Sequence, residues 1–352
     1  MTPANRRTDL AVLLLYNVDP SWETSEIASV REAAGAMTSA LLLEGHPVVE
    51  VPATHPDLVE ILRPYSPDDY IVLNWCEELP GIPRSDAMVA ENLERLNFTY
   101  TGASPQALSL SWDKAAVKTL LKQTAIPMPD WQLFSAPEAD GWNCFPAIVK
   151  PACEHCSYGI SADAVVMNRD DLARRVAFVI NTFKQPAIVE DFIDGREFHV
   201  TLWGNSDLEM LPPAEMDFAA FNNLRDRLCT FDSKFKPGSV HYEKIDMRIP
   251  ATLTDRETRR LEQTALQAYQ TTGCRDYARI DLRLRGGIFY VLDVNPNADI
   301  SPETSMVYAA ERIGLTYGAV GSRLINLAAE RHPILAGGQG IDEQSQRQAD
   351  RK

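Results

Sequence analysis

Apolar and polar positions alternate in short blocks along the first hundred residues. An apolar run at 10–16 predicts a β-strand, and apolar positions at helical spacing from about 27 to 43 predict a helix that stops at Gly45. Further strand-like and helical segments alternate after it, at 48–51, 70–73 and 87–96. Strands that alternate with helices predict a parallel sheet with helices on both faces.

A second stretch begins at the turn Thr101-Gly102-Ala103-Ser104-Pro105. A helix is predicted at 113–124, and the segment Ile126-Pro-Met-Pro129 interrupts the chain after it. From 147 to about 198 the pattern predicts a strand, a glycine-containing loop, a helix that begins at Asn168, and another strand. The helix at 113–124 carries lysines at four-residue spacing: Lys114, Lys118 and Lys122.

The last third has the clearest local patterns. The segment 254–257 reads Thr-Asp-Arg-Glu, which predicts a capping box at the start of a helix that ends at Gly273. Strands are predicted at 277–284 and 288–294. The polar composition from about 337 predicts a disordered tail at 337–352. These elements together predict an α/β fold with an α+β C-terminal part.

Composition limits the classes of function. Of 352 residues, 45% are apolar and 24% charged, which is typical of a globular protein, and the formal net charge is −15. An acidic balance argues against a nucleic-acid partner, since nucleic-acid binding needs a basic surface. No apolar stretch has the length of a membrane span, and the first residues lack a signal-peptide pattern, so we expect no membrane partner and a cytoplasmic location.

The six cysteines are expected to be reduced thiols. Cys153-Glu-His-Cys156 looks like half of a zinc site, but no second pair of ligands occurs at comparable spacing. We therefore expect this pair to have no metal.

The two C-terminal strands carry a cluster of polar residues. Because strand residues alternate between faces, Arg279 and Asp281 share one face of the first strand, and Asp293 and Asn295 share one face of the second. A hairpin would bring the two sets together. A two-residue turn would set Asp281 opposite Leu292, which mixes polar and apolar faces, so we predict a three-residue loop.

Three oxygen donors on one half-buried face predict a cation. Asp281, Asp293 and Asn295 would repel one another or lose hydration without a counter-charge. Oxygen-only ligation by few protein groups suits magnesium that also binds phosphates. The alternative is that Arg279 and Arg283 merely pair with the two aspartates on a solvated strand face.

Two further segments could bind a phosphorylated ligand. Lys150 ends an apolar strand and precedes a loop at 151–159, whose backbone amides and Ser157 hydroxyl could cover a phosphate chain. The apolar strand at 187–193 contains Glu190, and Glu197 follows it. Each segment alone is equally compatible with an ordinary strand and its turn.

In order and spacing, these segments resemble the ATP-grasp superfamily, and most of all its D-alanine–D-alanine ligase branch, over about 11–329. The resemblance implies an N-terminal parallel-sheet domain at 1–103, a central small domain at 104–198 and a C-terminal domain at 199–336. It is carried by five motifs: Ser111-Trp-Asp-Lys114, Ile148-Val-Lys150-Pro151 with its loop, Val189-Glu190 through Glu197-Phe198, Phe231-Asp-Ser-Lys234, and Ala278-Arg-Ile-Asp281 through Leu292-Asp-Val-Asn295-Pro296.

The resemblance also implies a role for each matching residue. Arg279 would stabilise an acyl phosphate and the tetrahedral intermediate after it, and Lys234 would approach the terminal phosphate. Two Mg²⁺ ions, or Mn²⁺ in their place, would be held by Asp281, Asp293 and Asn295. ATP would be bound by the remaining matches: Lys114, Lys150 and Ser157 at the phosphates, Glu190, Phe192, Ile193 and Leu292 around adenine, and Glu197 at the ribose.

The chain departs from that branch where the substrates would bind. The glycine pair of the family's first loop is absent, and either Glu23 or Glu26 could supply its acidic residue. Cys156 stands where the branch has a serine, and Phe235 where it has a tyrosine. The hydrogen-bonded network of that serine and tyrosine cannot form with these side chains.

A second departure lies after Asn295. Asp299 stands where the family has a glycine, while Thr304 and Ser305 match residues that bind the acceptor's carboxylate. Asp299 and Glu303 would disfavour a second bare carboxylate if they face the site. The alternative is that both acids face solvent.

These features predict an ADP-forming ligase that joins a small-molecule carboxylate to an amine through an acyl phosphate, on amino-acid-like substrates of specialised metabolism. One alternative is the D-alanine–D-alanine ligase of cell-wall synthesis. Another is a nucleotide-binding regulator that has lost its activity. Since dimers are common in the family, a homodimer is a further expectation.

Overall fold

The computed structural model describes residues 7–137 and 141–336. The tail predicted at 337–352 lies outside the described residues. Among the helices in the described ranges, none has the length and apolar character needed to cross a bilayer.

The N-terminal region forms the predicted parallel sheet, with strand order β2-β1-β3-β4. Its strands are β1 (Val12–Asn17), β2 (Val48–Ala53), β3 (Ile71–Trp75) and β4 (Thr99–Tyr100). Its helices are α1 (Thr24–Glu44), α2 (Leu58–Leu62) and α3 (Asp86–Arg95). Alternate β1 residues enter two separate apolar cores, Leu14 on one face and Leu15 on the other, so both faces of the sheet are covered.

Helix α1 shows why these residues become helical. It begins at Thr24 rather than near residue 27, because Glu23 and Glu26 form a capping box that satisfies free backbone amides of the first turn. It ends before Gly45, whose φ of 103° is in the left-handed region that glycine adopts at little cost.

The central region is a four-stranded antiparallel sheet, with strand order β5-β8-β6-β7. Its strands are β5 (Trp131–Phe134), β6 (Ala147–Pro151), β7 (Val165–Val166) and β8 (Ala187–Asp191). The helices of this stretch are α4 (Pro105–Trp112), α5 (Lys114–Gln123) and α6 (Arg169–Phe183). The predicted cap of α6 is confirmed, since the Asn168 side chain accepts from the amide of Asp171.

The C-terminal region is a larger antiparallel sheet, with strand order β12-β11-β9-β13-β14 and β10 beside β9. Its strands are β9 (Arg196–Gly204), β10 (Glu209–Met210), β11 (Ala214–Asp217), β12 (Asp246–Arg248), β13 (Asp276–Arg285) and β14 (Ile288–Pro296). The accompanying helices are α7 (Asp232–Phe235), α8 (Val240–Lys244), α9 (Asp255–Thr271), α10 (Ser305–Arg312) and α11 (Tyr317–Ala329). The predicted capping box opens α9.

The loop between β13 and β14 corrects the sequence-based prediction. The loop has two residues, Gly286 and Gly287, not three, and both have positive φ, as a tight hairpin turn requires. Asp281 nevertheless pairs with Asp293 as predicted, because a β-bulge inserts Leu292 into β14 and restores the register.

An ion-pair cluster joins the end of the N-terminal sheet to β13. Asp276 is fully buried and accepts from Arg331 and from the amide of Gly102. Asn297 accepts from the next amide, that of Ala103, at 2.7 Å. These bonds hold the N-terminal sheet against the strands that carry the polar cluster.

Candidate active site

A cleft separates the central sheet from the C-terminal sheet. The space between its walls is about 650 Å³ when the adjoining open solvent is included. Strand β13 divides its residues between the cleft and the core: Ile280 and Leu282 pack in the apolar cluster under α9, which leaves the alternate residues facing the cleft. The polar groups that line the cleft are Lys150, Ser157, Glu190, Asp191, Glu197, His199, Cys229, Lys234, Asp281, Arg283 and Asp293.

The oxygen cluster on β13 and β14 is assembled as predicted. Asp281 lies opposite Asp293, and Asn295 lies opposite Arg279. The Asn295 side-chain amide donates to Asp281 Oδ2 at 3.1 Å, which leaves the Asn295 side-chain oxygen as a further acceptor. Each carboxylate also has a cation: Arg279 Nε lies 2.7 Å from Asp281, and Lys114 Nζ lies 2.8 Å from Asp293.

The electrostatic environment keeps both aspartates ionised. Burial alone would raise the pKa of Asp281, but Arg279 and His199 outweigh it and lower that pKa. Burial would also raise the pKa of Asp293, but Lys114 and other cations outweigh burial and lower that pKa. Ionised carboxylates beside an amide oxygen form an all-oxygen donor set that fits Mg²⁺.

The alternative of simple arginine pairs on a solvated face is half correct. Arg279 does pair with Asp281, but Arg283 pairs with Glu197 instead of Asp293. The side chain of Asp281 is only 15% exposed, so this strand face lies inside the cleft and not on the outer surface.

A buried carboxylate between two lysines forms the opposite wall. Lys150 Nζ lies 3.1 Å from Glu190 Oε2, and Lys118 Nζ lies 3.3 Å from Glu190 Oε1. Burial lowers the pKa of Lys118 more than Glu190 raises it. For Glu190, the lysines outweigh the effect of burial and lower its pKa.

Glu190 has an acceptor available to a ligand. Within the described part of the chain, its Oε1 atom is buried and accepts no hydrogen bond, because the nearby Lys118 ammonium lacks the required geometry. A buried acceptor without a donor is costly, so a ligand amino group that reaches it would be stabilised.

Glu197 is fixed by an arginine from β13. Arg283 Nε donates to Glu197 Oε2 at 2.7 Å, and the same guanidinium donates to the Ile193 carbonyl at 2.9 Å. Its planar face covers the Phe192 ring at 4.8 Å. Burial opposes ionisation of Glu197, but Arg283 and His199 outweigh it and hold the pKa well below its usual range.

The loop after β6 has an unusual backbone. Cys156 and Ser157 have φ of 55° and 59°, a region that costs a side-chain-bearing residue about 1–2 kcal/mol. Such conformations are concentrated at functional sites. Burial, with the Lys114 charge second, lowers the pKa of His155 to about 4, so this loop carries a neutral imidazole at pH 7. The loop is tied to α5, because the Lys114 amide donates to the Ala152 carbonyl.

The edge of the cleft is formed by α7 and the same loop. Tyr158 of the loop contacts Phe231, with ring centroids 6.0 Å apart. Lys234 lines the cleft, and Phe235, one residue further, is 54% exposed.

Several residues predicted to contact substrate have structural contacts of their own. Glu23 and Glu26 cap α1, and Thr304 caps α10 while its hydroxyl donates to the Ser301 carbonyl. Asp299 is exposed and accepts from the amide and hydroxyl of Ser301. Ser305 is buried at the first turn of α10, and Glu303 is exposed.

Other cleft residues were not predicted from the sequence. The four-residue spacing of Lys114 and Lys118 places both on one helix face, and this signal could have identified Lys118. Alternation along a strand could likewise have linked His199 to Glu197. No pattern marks Cys229 or Glu77. Solvent reaches part of Glu77, and burial of the rest, with the Asp299 carboxylate second, raises its pKa to about 7.

A small antiparallel sheet that faces a larger one across a cleft of lysines and carboxylates is the architecture of the ATP-grasp ligases. Comparison with known proteins supports this class. The chain belongs to the family described as "D-ala D-ala ligase C-terminus", whose model matches residues 120–326. It is an ATP-grasp ligase of the D-alanine–D-alanine ligase type.

Individual relatives agree with this family. The chain is 30% identical to a D-alanine–D-alanine ligase of Nitratidesulfovibrio vulgaris, over 87% of this chain and 95% of that one. It is 31% identical to the uncharacterised protein y4sG of Sinorhizobium fredii, over 74% and 75% of the two chains. Its fold is similar to a Bacillus anthracis D-alanine–D-alanine ligase solved with ATP, with a TM-score of 0.72, 20% identity, and coverage of 92% and 98%.

Proposed function

We propose that the chain uses ATP to join a carboxylate to an amine through an acyl phosphate, on amino-acid-like substrates. The observation that carries this proposal is the pairing of Asp281 with Asp293 across β13 and β14, in a cleft whose other wall presents Lys150. The B. anthracis relative solved with ATP supports the choice of nucleotide.

The proposed nucleotide orientation follows the cleft. Adenine would lie against Phe192, Ile193 and Leu292, with its amino group toward Glu190 Oε1. Glu197, already fixed by its arginine, would bind ribose hydroxyls. The phosphate chain would meet the cations at the other end: Lys114, Lys150, Lys234 and the backbone and hydroxyl of Ser157.

The donor set supports two Mg²⁺ ions, with Mn²⁺ as a substitute. Asp281, Asp293 and Asn295 would hold them, and the ions would neutralise charge on the terminal phosphates. Because Lys114 and Arg279 now neutralise these carboxylates, ion binding would release both cations toward the phosphates.

The reaction would proceed in two steps, formation of the acyl phosphate and attack by the amine. A carboxylate oxygen of the donor attacks the γ-phosphorus, the bond to the bridging oxygen breaks, and ADP leaves. The amine nitrogen then attacks the carbonyl carbon, the C–O bond to phosphate breaks, and inorganic phosphate leaves with the proton that the amine loses. Arg279 would stabilise the negative charge of the acyl phosphate and of the tetrahedral intermediate, and Lys234 that of the transferred phosphoryl group.

The substrate pocket favours a pair other than two D-alanines. Cys156 and Phe235 replace the family's hydrogen-bonding serine and tyrosine, and the Thr304 hydroxyl is used by a helix cap. Asp299 adds negative charge in the neighbourhood of Cys156. D-alanine–D-alanine ligation remains the second candidate, because the N. vulgaris relative carries that name. Specialised metabolism, a cytoplasmic location, a homodimer and the domain limits at 103 and 198 stay predictions.

The test is an ADP-release screen over paired amino acids and amines, with D-alanine alone as one arm. We expect release with a pair other than D-alanine, and its loss in Asp293→Asn and Asp281→Ala. The matched control is Asp246→Asn, on the outer strand β12, which should keep wild-type release. Robust turnover with D-alanine alone would favour the second candidate. ATP binding without any stimulated release would favour an inactive regulator.

A further inference from the structure

Three different donor groups meet beside the nucleotide cleft. Glu197, His199 and Cys229 each offer one ligand atom, and these atoms all lie within 4.8 Å of one another. His199 Nε2 is 3.6 Å from Glu197 Oε1, which is too long for a hydrogen bond. Glu197 and His199 are buried, and Cys229 is half-buried.

The backbone and one neighbour position this set. Glu197 and His199 are two residues apart on β9, so they share the face that lines the cleft. Cys229 approaches from the segment between β11 and α7. Arg283 donates to Glu197 Oε2, and the other carboxylate oxygen, Oε1, faces the histidine and the thiol. The carboxylate therefore has one oxygen committed and one free for a ligand.

The spacing is that of a metal's coordination sphere. Nitrogen and oxygen ligands about 2.1 Å from a tetrahedral zinc lie about 3.4 Å apart. The observed 3.6 Å separation of Nε2 and Oε1 is close to that value. A zinc ion sets its sulfur and oxygen ligands about 3.6 Å apart, so the thiol, within 4.8 Å of the other two atoms, would need to approach by at most about 1.2 Å.

We propose that Glu197, His199 and Cys229 form a binding site for Zn²⁺ or a similar thiophilic divalent metal. This site lies beside the oxygen cluster on β13 and β14, because His199 Nε2 is 3.9 Å from Asp281 Oδ1. A thiolate and an imidazole select zinc over magnesium, which prefers oxygen ligands. The fourth coordination position is left to water. On the basis of the proposed function, metal at Glu197 excludes the ribose, so the metal and ATP compete for the cleft.

Metal binding at Cys229 should depend on pH. Burial, with the Glu197 charge second, raises the pKa of the Cys229 thiol, so the thiol is protonated when no metal is bound. A bound metal deprotonates its thiol ligand. The thiolate then adds a second negative charge beside Glu197, in a set that Arg283 and Lys234 also face. Zinc binding should therefore release a proton and strengthen as pH rises.

The test measures metal binding without nucleotide. The purified protein is titrated with Zn²⁺ against a chromophoric chelator, and with Co²⁺ while thiolate-to-cobalt absorption is recorded. We expect one ion per chain and a cobalt–thiolate band. Cys229→Ser should abolish the band and weaken zinc binding at least tenfold, as even outer-shell losses cost 10–100-fold. Cys274→Ser, outside the cleft, is the matched control and should bind as wild type.

Further variants decide between sites. His199→Ala should weaken zinc binding as well, and thermal unfolding of both variants reports whether they fold. Zinc binding that survives Cys229→Ser but is lost in Cys153→Ser would assign the metal to the 153–156 loop and overturn the proposal. Failure of the wild-type protein to bind zinc or cobalt would also overturn it.

A second measurement addresses competition. ATP binding is titrated at increasing Zn²⁺, and the apparent affinity for ATP should fall in wild type and much less in Cys229→Ser. By linkage, ATP should weaken zinc binding by the same factor. Unchanged ATP affinity at saturating zinc would overturn the competition. If ATP does not bind at all, the proposed function fails while the zinc titration still stands.

Discussion

Replacement of Glu190 by glutamine should destabilise the protein more than loss of any surface ion pair. Its side chain is 1% exposed, and those of Lys118 and Lys150 are 3% and 11% exposed. Glutamine keeps the shape but leaves two buried ammonium groups beside a neutral amide.

The magnitude follows from the distances. At 3.1 and 3.3 Å, each pair gains about 5 kcal/mol of Coulomb energy at an effective dielectric constant of about 20. Desolvation offsets part of this, and breaking a buried pair typically costs about 3–5 kcal/mol. At about 2 °C per kcal/mol for a large domain, the melting temperature should fall by roughly 6–10 °C.

The assay is thermal and urea unfolding of wild type, Glu190→Gln and Glu190→Gln/Lys118→Met. The double variant removes one orphaned cation and should recover part of the loss. The defect of the single variant should also shrink as pH rises. The folded-state pKa of Lys118 already lies below its ordinary value, and loss of the Glu190 charge lowers it further. Between that lowered pKa and the ordinary value the unfolded chain binds more protons, so the stability of the variant rises with pH more than that of wild type.

The control is Asp9→Asn, which breaks the exposed pair with Arg7 and should cost no more than about 1 kcal/mol. If Glu190→Gln unfolds within about 0.5 kcal/mol of wild type, the buried-pair reasoning is refuted. A double variant less stable than Glu190→Gln would contradict the assignment of the cost to an orphaned lysine.

Three further predictions concern other parts of the chain. Gly102→Ala should lower the melting temperature, because the φ of Gly102 is 94° and the added carbon would lie 2.1 Å from Asn297 Oδ1. Gly35→Ala, whose added carbon meets open space within α1, should raise the melting temperature slightly. Gly287→Ala, at φ 78°, should cost about 1–2 kcal/mol in urea unfolding. Glu77→Gln should raise the melting temperature at pH 8 and leave it unchanged at pH 4. Because the folded-state pKa of Glu77 is raised to about 7, the folded protein binds more protons than the unfolded chain between pH 4.5 and 7. Wild type therefore loses stability as pH rises through that window. Because solvent reaches Glu77, this gain should be only a fraction of a kcal/mol. Equal melting temperatures for Gly102→Ala and Gly35→Ala, or a Glu77→Gln effect confined to acid pH, would contradict these assignments.

Secondary structure was predictable where one interaction dominates locally. The capping box at 254–257 and the glycine after α1 define helix ends by hydrogen bonds within a few residues. The pairing of Asp281 with Asp293 was predictable because strand alternation requires polar residues to share a face. The length of the loop between these strands was not predictable, because a three-residue loop and a two-residue turn with a bulge both place Asp281 opposite Asp293. The chain uses a two-residue turn with a bulge at Leu292 instead of a longer loop.

The site was predictable only in part. Motif spacing indicated Lys150 and Glu190, but not that Glu190 is shared with Lys118, 72 positions earlier. That contact depends on how α5 packs against the core of the C-terminal sheet. His199 and Cys229 are brought together from separate segments. Alternation along β9 links His199 to Glu197, but no sequence pattern marks Cys229. The contact of Thr304 with its own helix could have been predicted from its position as a cap.

The central claim is that the carboxylates of β13 and β14 hold divalent ions against a nucleotide's phosphates. Calorimetric titration with ATP, in Mg²⁺ and in EDTA, tests it directly in wild type and in Asp293→Asn, with circular dichroism to verify folding. The account predicts that Mg²⁺ strengthens ATP binding in wild type and that the folded variant loses this gain. An equal gain from Mg²⁺ in the folded variant would contradict it.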